Sequence, residues 1–332
     1  MLFDQAVTYD CHTCSSFIIQ DALAKLPHLV GDISDPDTLE HFLSAWVLAM
    51  LRGNVPPSNV GEIPNRQVAN KLFLPFRMTT DFPNCSLEQL RQLAICDAYG
   101  LVYSGWIDDV IDHLPNDREA IDLDECYSNA KLAYEHMIVN LRKLFPPDSD
   151  FWGYLQHLVQ QFSHAMQWET MHRNLSPIEY SYDEFCSLAQ GKMSLALINP
   201  IALSLLNKTP DRLQGLVSAW RELSVAIILF DDIQDWKSDF EENQLSFLLN
   251  RVLVDRKFEK TTAFDQIMAL IPSSGIISTL LGCTVAHLEQ AQKIAIESHA
   301  PALANLCQDC LRDLARYIQK NKKSLCETVT MN

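Results

Sequence analysis

Glycine is scarce in this chain, at 10 of 332 residues. No Gly-rich loop joins a candidate strand to a helix, which excludes a nucleotide-binding α/β fold. Alternating apolar and polar strand patterns are missing as well. Positive charge is short: 26 Lys and Arg stand against 42 Asp and Glu, a net charge of -16 and a pI near 4.9. That balance argues against nucleic acid or an anionic membrane as partner, and an anionic substrate would need local cations. There is no uncharged apolar run of roughly eighteen residues, and Met1 to Asp10 lacks a basic region followed by an apolar core. Neither a membrane span nor a signal peptide is expected, and the expected location is cytoplasmic. The ten cysteines then read as reduced thiols, mostly small buried hydrophobes.

What the chain does have is helical periodicity, with 48% hydrophobic residues to bury. Asp35 and Pro36 signal a helix start, and Leu39, Phe42, Leu43, Trp46, Val47 and Met50 carry the pattern to Gly53. Residues 65–76 read as a short helix or irregular approach segment. Ser86 with Gln89 and Ser181 with Glu184 resemble capping boxes. The first opens a helix that ends in DDVID; the second precedes a helix over 185–206 that Gly191 and Pro200 are expected to interrupt. Leu123 to Phe145 is amphipathic and closed by Pro146 and Pro147, and the stretch from Ser149 to Arg173 is helical and rich in aromatics. Thr209 and Pro210 begin another long helix, and residues 276–298 and 302–322 complete the set. No linker or repeat divides the chain, so residues 1–332 are expected to form one all-α domain, a single large helical bundle.

Two acidic clusters follow apolar helical segments. In ILFDDIQDWKSD, Asp231, Asp235 and Asp239 fall at i, i+4 and i+8, with Asp232 beside them. Like charges at that spacing repel, and hard divalent cations with oxygen ligands are their usual counter-charge. A solvated acidic helix end is the plain alternative. In DDVID, Asp108, Asp109 and Asp112 close another apolar stretch. If the two clusters faced one another, they could hold Mg²⁺ bridging to a phosphorylated ligand, an arrangement suited to a diphosphate leaving group. Cys11 with Cys14 and Cys307 with Cys310 form two CxxC pairs, which would make a zinc site only if the termini met; neither pair lies in a turn-rich knuckle. Glu169 and His172 form an ExxH pair of the di-iron kind, but no second ExxH exists.

DDVID matches the DDxxD motif of class I terpene synthases and trans-prenyl diphosphate synthases. Asp231, Asp235 and Asp239 stand where terpene synthases carry their second metal motif, and Arg316 with Tyr317 resembles their late Arg-Tyr pair. The order and separations of the three are similar to that family's, and the resemblance runs from about Ser86 to Lys322. An all-aspartate second motif and Gly191-Lys192 in AQGKMSLAL look more like the chain-elongating enzymes. The Arg pair those enzymes carry after the first motif is missing, since DDVIDHLPNDRE offers only Arg118. The mixture resembles a terpene synthase of the type closest to prenyl and squalene synthases.

The resemblance implies the isoprenoid synthase fold, with a central active-site cavity. It implies that Asp108, Asp109, Asp112, Asp231, Asp235 and Asp239 bind about three Mg²⁺ ions, Asp108 and Asp231 foremost in catalysis. Arg316, Tyr317, Lys192, Arg173 and Lys237 would add donors to the diphosphate of a linear prenyl substrate, which ionises to an allylic cation and cyclises in a dry cavity to a terpene hydrocarbon or alcohol. The alternatives are chain elongation with isopentenyl diphosphate and a non-catalytic subunit that kept the bundle. A homodimer is compatible with either.

Overall fold

Both capping boxes are formed. Ser86 N–H donates to Gln89 Oε1 at 2.8 Å while Gln89 N–H donates to the Ser86 hydroxyl at 3.2 Å. Ser181 N–H likewise donates to Glu184 Oε2 at 2.7 Å, and Glu184 N–H to the Ser181 hydroxyl at 3.2 Å. Each box satisfies N–H groups that a helix start leaves unpaired. The structure is a computed structural model that describes residues 16–31, 35–51, 74–113, 123–172, 178–242, 244–256, 266–267, 270–271 and 274–326.

In chain order the elements are α1 (Ser16–Gly31), α2 (Pro36–Leu51), the single turn α3 (Leu74–Arg77), α4 (Leu87–His113), α5 (Leu123–Leu144), α6 (Phe151–His172) and α7 (Tyr182–Lys192). A 3₁₀ turn (Ser194–Leu197) leads to α8 (Ile198–Leu206), and another (Pro210–Arg212) to α9 (Leu213–Glu241). Then come α10 (Phe247–Arg256), α11 (Ile276–Glu297) and α12 (Pro301–Cys326). No strand occurs among the described residues. Thr38 N–H donates to Asp35 Oδ2 at 2.9 Å, the cap expected for α2. Of residues 65–76, only the turn from Leu74 is described.

The break expected at Gly191 and Pro200 takes another form. Helix α7 runs through Gly191 and stops after Lys192, and Pro200 sits in the first turn of α8, where its missing N–H costs nothing. Gly191 serves packing instead. A Cβ there would stand 2.9 Å from the Cβ of Ala165 and 3.1 Å from the carbonyl oxygen of Gln161, so α7 lies directly on α6.

Contacts divide the chain into two compact units, Met1–Leu155 with Ile198–Lys208, and Gln156–Leu197 with Thr209–Asn332. In the first, α4 packs chiefly on α5 and α2. Its buried face carries Leu93, Tyr99, Val102, Trp106 and Val110 at helical spacing, each worth about 1.5–3 kcal/mol if aliphatic and fully buried. The Tyr99 hydroxyl donates to the Leu23 carbonyl at 2.8 Å, and its ring stacks on His136 with centroids 5.2 Å apart. Gln92 Nε2 donates to Asn140 Oδ1 at 2.7 Å, pairing two buried amides of α4 and α5.

In the second unit, α9 packs mainly on α11, and α11 on α12. Leu216, Ala219, Leu223, Ala226, Leu229 and Ile233 form the buried face of α9. By length and composition the stretch Pro210–Glu241 could cross a membrane, and 50% of its apolar window is buried within the protein. Gly215 again marks a close approach, since a Cβ there would fall 1.9 Å from the Ser298 hydroxyl oxygen just beyond α11. Cys307 is buried and Cys310 partly buried, neither in a disulfide, while Cys11 and Cys14 lie outside the described residues.

Candidate active site

The aspartates of α9 are held in place by the apolar residues between them. Ile233 and Trp236 are buried and pack this part of the helix against its neighbours. Asp231 and Asp235 come to the surface one turn apart. Asp239 is half-buried, and its carboxyl is pushed up to about 8, first by burial and then by Asp232, with Asp235 and Asp231 adding to it. Asp235 is also raised, by partial desolvation and then by Glu242.

Asp232 points elsewhere. Its Oδ2 accepts the Phe247 N–H at 2.8 Å, so it caps the start of α10. Burial pushes this carboxyl up to about 7 against the lowering effect of that bond, while Asp231 raises it and Lys192 lowers it. The stripe that remains is Asp231, Asp235 and Asp239.

Lys192, the last residue of α7, stands beside this acidic group. Its Nζ lies 3.0 Å from Oε1 and 2.9 Å from Oε2 of Glu169 on α6. The half-buried phenol of Tyr180 completes the cluster, its pKa raised by burial and then by Asp232 and Glu169. The Tyr180 ring rests between Trp168, at 5.2 Å, and Phe247, at 5.5 Å. His172 is committed to its own helix: Nδ1 meets the Trp168 carbonyl oxygen at 2.8 Å, and the rings of the two stack at 4.3 Å. With Glu169 on Lys192 and His172 on Trp168, the ExxH pair forms no metal site.

Tyr317 of α12 also approaches the α9 aspartates. Its ring meets Phe230 edge-on at 5.0 Å, and burial, then Asp235, raise its hydroxyl. Arg316, one residue earlier, is exposed and pairs within its own helix, Nη1 to Asp313 Oδ1 at 2.8 Å. Lys237 is exposed with its ammonium 5.5 Å from the Trp236 ring centroid; two residues from Asp235, it lies on the other side of α9. Asp108, at the surface near the end of α4, belongs to the first unit. The side chains of Asp109 and Asp112, and the whole of Arg173, lie outside the described residues.

Among the described residues no three His, Cys, Asp or Glu side chains are grouped to enclose one metal ion. The donor set suits Mg²⁺ all the same, because that ion usually takes one or two carboxylates and completes its octahedron with water and phosphate oxygens. Asp231 and Asp235 supply such carboxylates, and a divalent cation is the counter-charge that would lower the raised carboxyls around them.

Sequence reasoning missed Tyr180 altogether and considered Glu169 only as half of an ExxH pair. The signal for Glu169 was available: an acid one turn beyond Ala165, on the helix face that a glycine next to Lys192 would let approach.

Two solved structures share the fold of this chain over nearly their whole length. A decaprenyl diphosphate synthase from Rhodobacter capsulatus superposes with a TM-score of 0.58 at 14% identity, covering 90% of this chain and 99% of that one. An octaprenyl pyrophosphate synthase from Helicobacter pylori gives a TM-score of 0.57 at 14% identity, covering 88% of this chain and 96% of that one. No protein-family model and no curated protein sequence matches the chain. The protein thus has the all-α isoprenoid synthase fold that trans-prenyl diphosphate synthases share.

Proposed function

We propose that the chain is a Mg²⁺-dependent prenyl transferase that joins an allylic prenyl diphosphate to isopentenyl diphosphate. The observation that carries this reading is the surface stripe of Asp231 and Asp235, with Asp239 behind it and Lys192 and Tyr317 close by. Its occurrence on the fold of two polyprenyl diphosphate synthases favours elongation over the terpene cyclisation that the sequence first suggested. Asp108, Asp109 and Asp112 of DDVID are read as metal ligands as well.

Mg²⁺ held by these aspartates would supply the positive charge that stabilises a departing diphosphate. Lys192 and Tyr317 donate hydrogen bonds to its oxygens, and Arg316 can join them by leaving Asp313. The allylic carbon–oxygen bond breaks with its electron pair going to diphosphate. The acceptor's double bond then forms the new carbon–carbon bond, and a proton is lost to give a longer linear diphosphate.

A second reading, cyclisation without acceptor, rests on the single Arg118 after the first motif, where elongating enzymes carry a pair. Purified protein with Mg²⁺ and geranyl, farnesyl, geranylgeranyl or geranylfarnesyl diphosphate, each with and without isopentenyl diphosphate, separates the two. Longer linear diphosphates are expected only when isopentenyl diphosphate is present, and Asp235→Ala should lower turnover by about 100-fold or more. A cyclic hydrocarbon or alcohol from one diphosphate alone would replace transfer with cyclisation; no turnover of any substrate would overturn both.

A further inference from the structure

Lys192 and Glu169 form an ion pair between α6 and α7 at the edge of the acidic group. Nζ lies 2.9 Å and 3.0 Å from the two carboxylate oxygens, and the side chains are 34% and 32% exposed, respectively; Glu169 Oε2 is itself buried, while the Lys192 side chain is partly open to solvent. A pair left partly open to solvent is held less firmly than a fully buried one. A diphosphate group offers more charge and more acceptor oxygens than one carboxylate, and can draw the ammonium away. The reach of Lys192 is set by the backbone. Gly191 lets α7 rest on Ala165, one turn before Glu169, which places the lysine opposite that acid.

We propose that Glu169 is a positioning residue that holds Lys192 in the ligand-free protein and releases it to the diphosphate, so that anion binding is a competition between carboxylate and phosphate for one ammonium. This rests on the proposed diphosphate site. Lysine serves such an exchange well, because its compact ammonium on a flexible stem can swing between partners without a fixed bidentate geometry. The neighbouring Asp232 and Tyr180 hold the empty-handed alternative in check. Asp232 is committed to the Phe247 N–H and the Tyr180 ring is wedged between Trp168 and Phe247, so neither is placed to follow the lysine.

The test is titration calorimetry of inorganic pyrophosphate with Mg²⁺ against four full-length proteins: wild type, Glu169→Gln, Lys192→Gln and the double variant. Glu169→Gln should tighten binding about 3–10-fold, since the ammonium no longer has to leave a carboxylate, and Lys192→Gln should weaken it about 10-fold. In the Lys192→Gln background, Glu169→Gln should change affinity by less than twofold. Equal tightening with and without Lys192 would mean that removing a negative charge acts generally, and would overturn the proposal; so would unchanged or weaker binding by Glu169→Gln. Glu169→Asp, which keeps the charge but draws it back by one methylene, should tighten binding in the same direction, and provides the measurement if the glutamine variant does not fold. Wild-type protein that binds no pyrophosphate with Mg²⁺ would remove the diphosphate site itself, and this inference with it.

Discussion

Asp97 of α4 carries its carboxyl beside Asn199 of α8, whose Nδ2 donates to it while Oδ1, buried, meets no donor. Burial pushes the carboxyl up to about 8 against the lowering effect of that bond. In the unfolded chain it would titrate near 4. Between those values the folded state keeps a proton that the unfolded state has released, so this group's contribution to stability is complete below about pH 4 and is lost as pH rises through about 8. Asp97→Asn should flatten that decline and raise the urea midpoint at pH 8 relative to wild type. An asparagine there offers Asn199 Nδ2 its acceptor and gives Asn199 Oδ1 a donor. Urea midpoints at pH 5, 6, 7 and 8 would check it; equal slopes for the two proteins would count against the assignment. Single residues of this kind were not legible in the sequence. Asp97 lies in an ordinary helical pattern, and only the approach of α8 makes its carboxyl costly.

At the scale of elements, the capping boxes and the ends set by Pro146 and Pro147 were readable because those signals are local. The close contact of α6 and α7 was not, because it depends on which two helix faces meet. Gly191→Ala forces a methyl to 2.9 Å from Ala165 Cβ, well inside van der Waals contact. The expected cost is about 1–3 kcal/mol, the usual penalty of overpacking, read as a lowered urea midpoint at unchanged m-value. Ala165→Gly in the same protein should restore much of it. A glycine replacement that fails to restore stability would place the strain at the Gln161 carbonyl instead.

For the whole molecule, a net charge of -16 and a run of carboxyls raised by burial and by one another favour divalent cations over monovalent ones. A cation that binds the folded state alone stabilises it by mass action. Adding Mg²⁺ to ~10 mM should raise the melting temperature by ~2 °C when Na⁺ at matched ionic strength does not. The increment should fall by half or more in Asp231→Asn/Asp235→Asn. Equal rises with Na⁺ and Mg²⁺ would indicate general screening rather than a site.

Periodicity, caps and the rarity of glycine were enough to determine an all-α fold and most helix positions, because a helix is closed by hydrogen bonds within its own stretch of chain. Spacing alone also placed Asp231, Asp235 and Asp239 on one face of α9. Tertiary structure decided which carboxylate does something else: Asp232 has the same composition and the same neighbours in sequence, yet it caps α10 because the chain after Glu241 returns the Phe247 N–H to it. The partner of Lys192 was decided in the same way. Glu169 is 23 residues away along the chain, and only the packing of α6 against α7 brings two opposite charges within 3.0 Å. Local pattern carries the backbone's own hydrogen bonds, whereas the choice of partner for a charged side chain is made by whatever distant segment the core brings beside it.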